Sequence, residues 1–252
     1  MTAAGHRDPP STCAWAEATG GALDPLQRRR VLRAIARGYL DVGVGLARRP
    51  LRRPIPVAIP RAPDSKLARE AETAARDQGI ALAGHGYRTW LLGHALACQD
   101  GHVLDPELFY IAALLHDAGI VRVVTGEDFT IRSARVVSEV VARVRPDDSS
   151  LATSLGDSVV AHATPGLSAD IDPIGFYVQV GALADLAALR RWDLPRGYTG
   201  SAYSAHPAND VFGVVAAAIT AEARAVPRGR FAMLRRSGMS LMVRFSPNRQ
   251  FE

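Results

Sequence analysis

The stretch Phe109-Tyr-Ile-Ala-Ala-Leu-Leu-His-Asp-Ala-Gly-Ile120 decides how the rest of the chain is read. An apolar run with Leu108, Ala112 and Leu115 on one packing face predicts a buried helix over Pro106–Asp117. Pro106 stands where the first turn would begin, and a proline there gives up an N–H that has no helical partner anyway. The helix ends in adjacent His116 and Asp117. A carboxylate placed after so apolar a run is expensive to bury unpaired, so Asp117 needs compensation. Metal ligation would supply it for both side chains. A core histidine hydrogen-bonded to its neighbour would satisfy the same pair.

Outward from this helix the sequence alternates between apolar helical patterns and short breaks. Helices are expected over Leu26–Leu46, Lys66–Asp77, His85–Cys98, Ile131–Val144, Leu151–His162, Pro173–Arg191 and Ala208–Ala225. Prolines at 50, 54, 56, 60 and 63 rule out a continuous helix and predict an extended strap. Strand signals are confined to Ile55–Ile59 and Ser240–Phe245. The expected fold class is all-α, a single helical bundle with an N-terminal helix and the proline-rich strap. Its expected parts are a flexible N-terminus (1–24), the helix and strap (25–63), the main domain (64–230) and a C-terminal extension (231–252).

With 252 residues, 48% of them hydrophobic, the chain buries a core without disulfides. Cys13 and Cys98 have no metal-binding spacing, and no disulfide is expected between them. No apolar run approaches a membrane span, and the first residues lack the apolar centre of a signal peptide, so a cytoplasmic location is expected. The net charge of +5 comes from arginines clustered near Arg28–Arg30 and Arg48–Arg53, without aromatic residues between them. A solvated helix face is therefore expected rather than a nucleic-acid surface. The helix 26–46 is expected to pack on its own domain or on a second subunit, which leaves a homo-oligomer open.

Two further positions place polar groups in apolar helices. His85 is expected to open a helix 31 residues before His116. Asp185 lies within Val178-Gln-Val-Gly-Ala-Leu-Ala-Asp-Leu-Ala, where an aspartate has poor helix propensity and poor solvation. Gly181 and Ala182, one turn before it, are expected to leave space for an ion or ligand. His85, His116, Asp117 and Asp185 form an N₂O₂ set suited to Zn²⁺, Fe²⁺ or Mn²⁺.

The order His85, His116-Asp117, Asp185 resembles the H…HD…D signature of the HD-domain superfamily of metal-dependent hydrolases. With His85-Gly-Tyr-Arg-Thr, Asp105-Pro-Glu-Leu and Ala113-Leu-Leu-His-Asp-Ala-Gly, the chain is similar to the cyanamide hydratase-like branch over roughly residues 55 to 225. The resemblance implies an HD domain whose four signature residues bind metal. His162, in Val159-Val-Ala-His-Ala-Thr-Pro, matches a further family histidine that would bind substrate, move a proton or hydrogen-bond a ligand; a satisfied core histidine is the alternative. Arg88 matches an arginine of this branch that would face the pocket or pair with a carboxylate.

Two departures narrow the expectation. Ile120 stands where phosphohydrolases of the superfamily often carry lysine, which weakens a phosphate-ester reading. His162 is the one histidine between the HD pair and Asp185, so a single divalent ion, Zn²⁺ first among candidates, is preferred to two. Glu127 and Asp128 are the alternative ligands, and His206 is expected at the surface or as a cap. The expected chemistry is hydrolysis or hydration of a small molecule by a water made acidic by the metal, with Asp117, His162 and Arg88 as the catalytic set and a nitrile-type substrate slightly favoured. A phosphate ester or nucleotide is the alternative substrate. A non-catalytic, metal-stabilised regulatory domain is the alternative of another class.

Overall fold

Aspartate and proline set the main helix starts. Pro25, Pro106 and Pro173 each open a helix behind Asp24, Asp105 and Asp172, whose carboxylates accept from the first free backbone N–H groups. The computed structural model describes residues 10–252. Its helices are α1 (Cys13–Thr19), α2 (Pro25–Arg48), α3 (Lys66–Arg76), α4 (Ile80–Asp100), α5 (Pro106–Leu115), α6 (Phe129–Val144), α7 (Ser149–Ala161), α8 (Pro173–Ala187), α9 (Tyr198–Ala205), α10 (Val211–Ala225), α11 (Arg230–Arg236) and α12 (Met239–Arg244). Among the described residues there is no β-strand, only isolated bridges at Ala22–Gly229 and Val124–Glu127. The fold is the expected all-α bundle. Among the described residues no helix is long and apolar enough to cross a membrane.

Helix α5 lies at the centre, with every residue from Phe109 to Leu115 buried. Helices α3, α4, α6, α7 and α8 pack around it. The longest shared interface is between α4 and α8, and two glycines make it close. A Cβ on Gly93 would fall 2.4 Å from the Tyr177 carbonyl oxygen, and one on Gly181 would fall 2.4 Å from that of Thr89. Gly181 thus serves helix approach, and the space expected at it is filled by α4, whereas Ala182 borders the cavity. Gly181→Ala is expected to destabilise the protein by about 1–3 kcal/mol through overpacking, read as a shift of the denaturant midpoint.

Several expectations are corrected. Residues 10–24 are ordered into the bundle: α1 buries Trp15 and Ala16 against Leu23, Val31, Ile131, Val160 and Met233. The expected flexibility of residues 1–9 lies outside the described residues. No strand forms at 55–59, because Pro54, Pro56 and Pro60 remove the N–H groups a ladder needs. The strap is held instead by the Gln99 side chain, which pairs with both the N–H and the carbonyl of Ile55 at 2.9 and 2.8 Å. The expected strand at 240–245 is helix α12, which packs on α10 and buries Val243. Helix α4 starts at Ile80, so His85 lies within the helix and does not open it. Helix α8 stops at Ala187, where Ala188 turns left-handed at φ 55°. Cys13 and Cys98 are both free thiols.

Candidate metal centre

His116 and His162 owe their orientation to the same local device. Each directly follows the last residue of its helix, α5 or α7, where carbonyl groups lack a helical partner. His116 Nδ1 donates back to the Ala113 carbonyl at 2.8 Å, and His162 Nδ1 donates to that of Val159. A carbonyl can only accept, so both Nδ1 atoms carry the proton and both Nε2 atoms present a lone pair. His85, on α4, is oriented by Asp185 of α8, whose Oδ2 lies 2.7 Å from its Nδ1.

The three rings turn their Nε2 atoms toward Asp117. His85 Nε2 and His116 Nε2 are 3.2 Å apart. Asp117 Oδ2 lies 3.6 and 3.4 Å from them, and its Oδ1 lies 3.8 Å from His162 Nε2. The HD corner is clamped from α6: Ser133 Oγ accepts from Gly119 N at 2.8 Å, and Arg132 Nε donates to Gly119 O at 2.9 Å. All four converging side chains are buried.

Such a cluster lacks a donor. Three nitrogen lone pairs and a carboxylate face one another, and like acceptors at these distances repel unless a cation lies among them. A proton shared between His85 and His116 would relieve one contact, whereas a divalent ion would relieve all of them. His85, His116 and Asp117 each offer a ligand atom, all within 4.8 Å of one another. The donor chemistry of the cluster therefore fits a metal ion.

Electrostatics favour the ligating forms. Burial pushes the His162 imidazole down to about 3, with His116 adding to the effect. Burial likewise lowers His116, against the pull of Asp117. Burial opposes ionisation of Asp117, but the neighbouring His116, His85 and His162 outweigh it and hold the carboxyl below its ordinary value.

Asp185 does not converge with His85 Nε2, His116 and Asp117. Its carboxylate stands behind His85, on the Nδ1 side, and Arg88 grips it through Nε to Oδ1 at 2.8 Å and Nη2 to Oδ2 at 3.0 Å. The remaining Arg88 nitrogen donates to the carbonyls of His206 and Pro207 at 2.9 and 2.8 Å. Arg88 is fully buried and does not line the cavity, so of the two expected roles it takes the pairing one. Of the four residues expected as ligands, His85, His116 and Asp117 converge, and the Asp185 carboxylate stands behind His85 and orients it, as a carboxylate does for a metal-binding histidine. His206 stacks on Tyr87 at 4.4 Å, outside the cavity lining. Asp128 pairs with Arg230 at 3.2 Å and Glu127 with Arg135 at 2.8 Å, so neither reaches the centre.

Burial opposes ionisation of Asp185, yet Arg88 and His85 together bring its carboxyl down to about 2, from an ordinary 3.8. The unfolded chain therefore takes up this proton first as pH falls. The stabilisation is present in full above about pH 4 and is lost as pH drops toward about 2. Denaturant midpoints across that window are expected to fall steeply in the wild type and less steeply in Asp185→Asn.

The three rings and Asp117 form part of the lining of a cavity of about 230 Å³. Sequence reasoning did not foresee its other walls. Helix α2 contributes Ala34, Ile35, Gly38, Tyr39 and Val42, and residues 231–252 contribute Phe231, Leu234, Met239 and Met242. Also unforeseen were Tyr203 and Asn248, which donate to the Asp185 carbonyl at 3.1 and 2.8 Å, and Gln179, which donates to the His162 carbonyl at 2.6 Å. The α2 stripe was the detectable signal, since Val31, Ile35 and Val42 recur at helical spacing. No protein-family model matches the chain, and no curated protein does.

Proposed function

We propose that the protein is a metal-dependent enzyme of the HD-domain type that hydrolyses or hydrates a small molecule. The observation that carries this reading is the donor-less meeting of three imidazole Nε2 atoms and the Asp117 carboxylate on the wall of an apolar cavity. His85, His116 and Asp117 would hold one divalent ion, Zn²⁺ being the ion that most often takes two histidines and a carboxylate with a position left open. Such an ion supplies Lewis acidity and makes water nucleophilic at neutral pH.

The chain's own residues divide the remaining work. Asp185 keeps the proton on His85 Nδ1 and so keeps Nε2 free. The Ala113 carbonyl does the same for His116. His162 offers its Nε2 lone pair beside Asp117 Oδ1, where it accepts a proton or hydrogen bond from water or substrate. The apolar walls exclude bulk water and strengthen each of these contacts.

A nitrile-type substrate suits the site better than a phosphate ester. Among the described residues no lysine or arginine lines the cavity, and Arg88 is committed to Asp185 and two carbonyls. Incubation of the metal-replete protein with cyanamide, simple nitriles and phosphate esters tests the reading. Hydration of a nitrile, lost on chelation and restored by Zn²⁺, is the expected result. Hydrolysis of phosphate esters with no action on nitriles would overturn the preference.

A further inference from the structure

We infer that this same site takes an uncharged molecule with one compact polar head and an apolar body several carbons long, admitted beneath α2. The position of the head rests on the metal-site reading above; the body rests on the cavity. At about 230 Å³ the space exceeds the ~150 Å³ of an apolar cavity that binds benzene. It has room for more than the head of a cyanamide-sized molecule. Its side walls are Leu183 and Leu186 of α8, Val215 and Ile219 of α10, and Met239 and Met242 of α12. Methionines are adaptable walls, suited to an apolar body of variable shape. Two of the other polar side chains of the lining are already engaged: Gln179 Nε2 holds the carbonyls of His162 and Thr164, and the Tyr39 hydroxyl donates to the Ser237 carbonyl; Ser237 itself adds only a neutral hydroxyl. An anionic body would find no counter-charge there, and an unpaired buried anion is strongly disfavoured.

Helix α2 is built as the cover. Near its start, Asp24 and Gln27 cap each other reciprocally and Val31 is buried with Trp15 and Met233. Near its end, Gly45 lies so close to Trp192 that a Cβ would sit 2.5 Å from the indole. Between these anchors Ala34, Ile35, Gly38, Tyr39 and Val42 face the cavity, and the Tyr39–Ser237 hydrogen bond closes the middle. A Cβ on Gly38 would meet nothing within 4 Å, so this position accepts a side chain at the edge of the space.

Calorimetric titration with straight-chain nitriles from propionitrile to hexanenitrile, and with n-alkyl phosphates of matching length, tests the inference. The proteins are chelated and metal-replete wild type, Gly38→Leu and Gly43→Ala, Gly43 lying on α2 outside the lining with nothing within 4 Å of a Cβ. Nitrile affinity is expected to rise about fourfold per added methylene until the space is full. Alkyl phosphates are expected to bind more weakly at every length. Gly38→Leu is expected to weaken hexanenitrile binding about tenfold while keeping its metal, and Gly43→Ala to behave as wild type, since both replacements favour the helix and only the first enters the lining. A series flat with chain length, phosphates binding more tightly than nitriles, or Gly38→Leu matching wild type would each overturn the inference. Chain-length dependence in a protein that takes up no metal would support the apolar body and remove the metal-site reading. A stoichiometric ion with a flat series would do the reverse.

Discussion

Asp117→Ala is expected to leave a folded protein that no longer retains a divalent ion. Asp117 is the one carboxylate among the converging side chains, and its two oxygens lie 3.4 to 3.8 Å from all three histidines. Structural zinc binding of roughly 10–16 kcal/mol over four ligands amounts to about 3–4 kcal/mol for each, or a 10²–10³-fold loss of affinity when one is removed. Turnover should fall at least as far. Elemental analysis after purification reads the occupancy, expected near one ion per chain in the wild type and near background in the variant. Chelation should lower the melting temperature of the wild type and leave that of Asp117→Ala unchanged, because an ion stabilises only the protein that binds it. Stoichiometric metal in Asp117→Ala, or a wild type indifferent to chelator, would remove the basis for an enzyme.

Arg88→Met is expected to be the most destabilising single replacement near the site. It strands the fully buried Asp185 carboxylate, which in the native protein is met by two Arg88 nitrogens and by His85. Breaking a buried pair from one side costs about 3–5 kcal/mol. Replacing both partners, as in Arg88→Met with Asp185→Leu, should recover most of that stability, since an apolar pair needs no compensation. The double variant should still bind metal about 10–100-fold more weakly than the wild type, because nothing then holds the proton on His85 Nδ1. Denaturant unfolding and competitive metal titration read the two effects separately. A double variant with wild-type metal affinity would show that Asp185 does not orient His85.

The residues of the candidate site were legible in the sequence for an energetic reason. His85 and Asp185 interrupt apolar helices and His116 and Asp117 follow directly on one, and a polar group in such a place needs a partner. Periodicity names the face on which a residue lies but is silent about what packs against that face. Nothing local announces that Arg88 meets Asp185 across 97 positions, and so the pairing that takes Asp185 away from the other three acids and imidazoles was hidden. Gly181 shows the same limit. A small residue beside a buried carboxylate reads as room for a ligand, yet the neighbouring backbone of α4 occupies that room.

The cavity was less legible still. Its walls come from α2, α8, α10, α11 and α12, whose lining residues span positions 34 to 242. Each is an ordinary apolar residue on the inner face of its own helix, and only their enclosure makes a chamber. The bonds that tie His116 and His162 to carbonyls three residues back are local in sequence, but they direct Nε2 usefully only because α5 and α7 end at the same place.

By itself the sequence determined the all-α class, the main helices, and the break at the proline strap. These follow from patterns confined to one or two turns of chain. It also marked the polar residues that apolar helices must compensate. Only the tertiary structure decided that three of the four metal candidates converge, that the fourth carboxylate stands behind His85 in the grip of Arg88, and that α2 covers an apolar chamber. The reason is that a ligand's role depends on which lone pair faces which donor, and donors here arrive from helices close in space but distant along the chain.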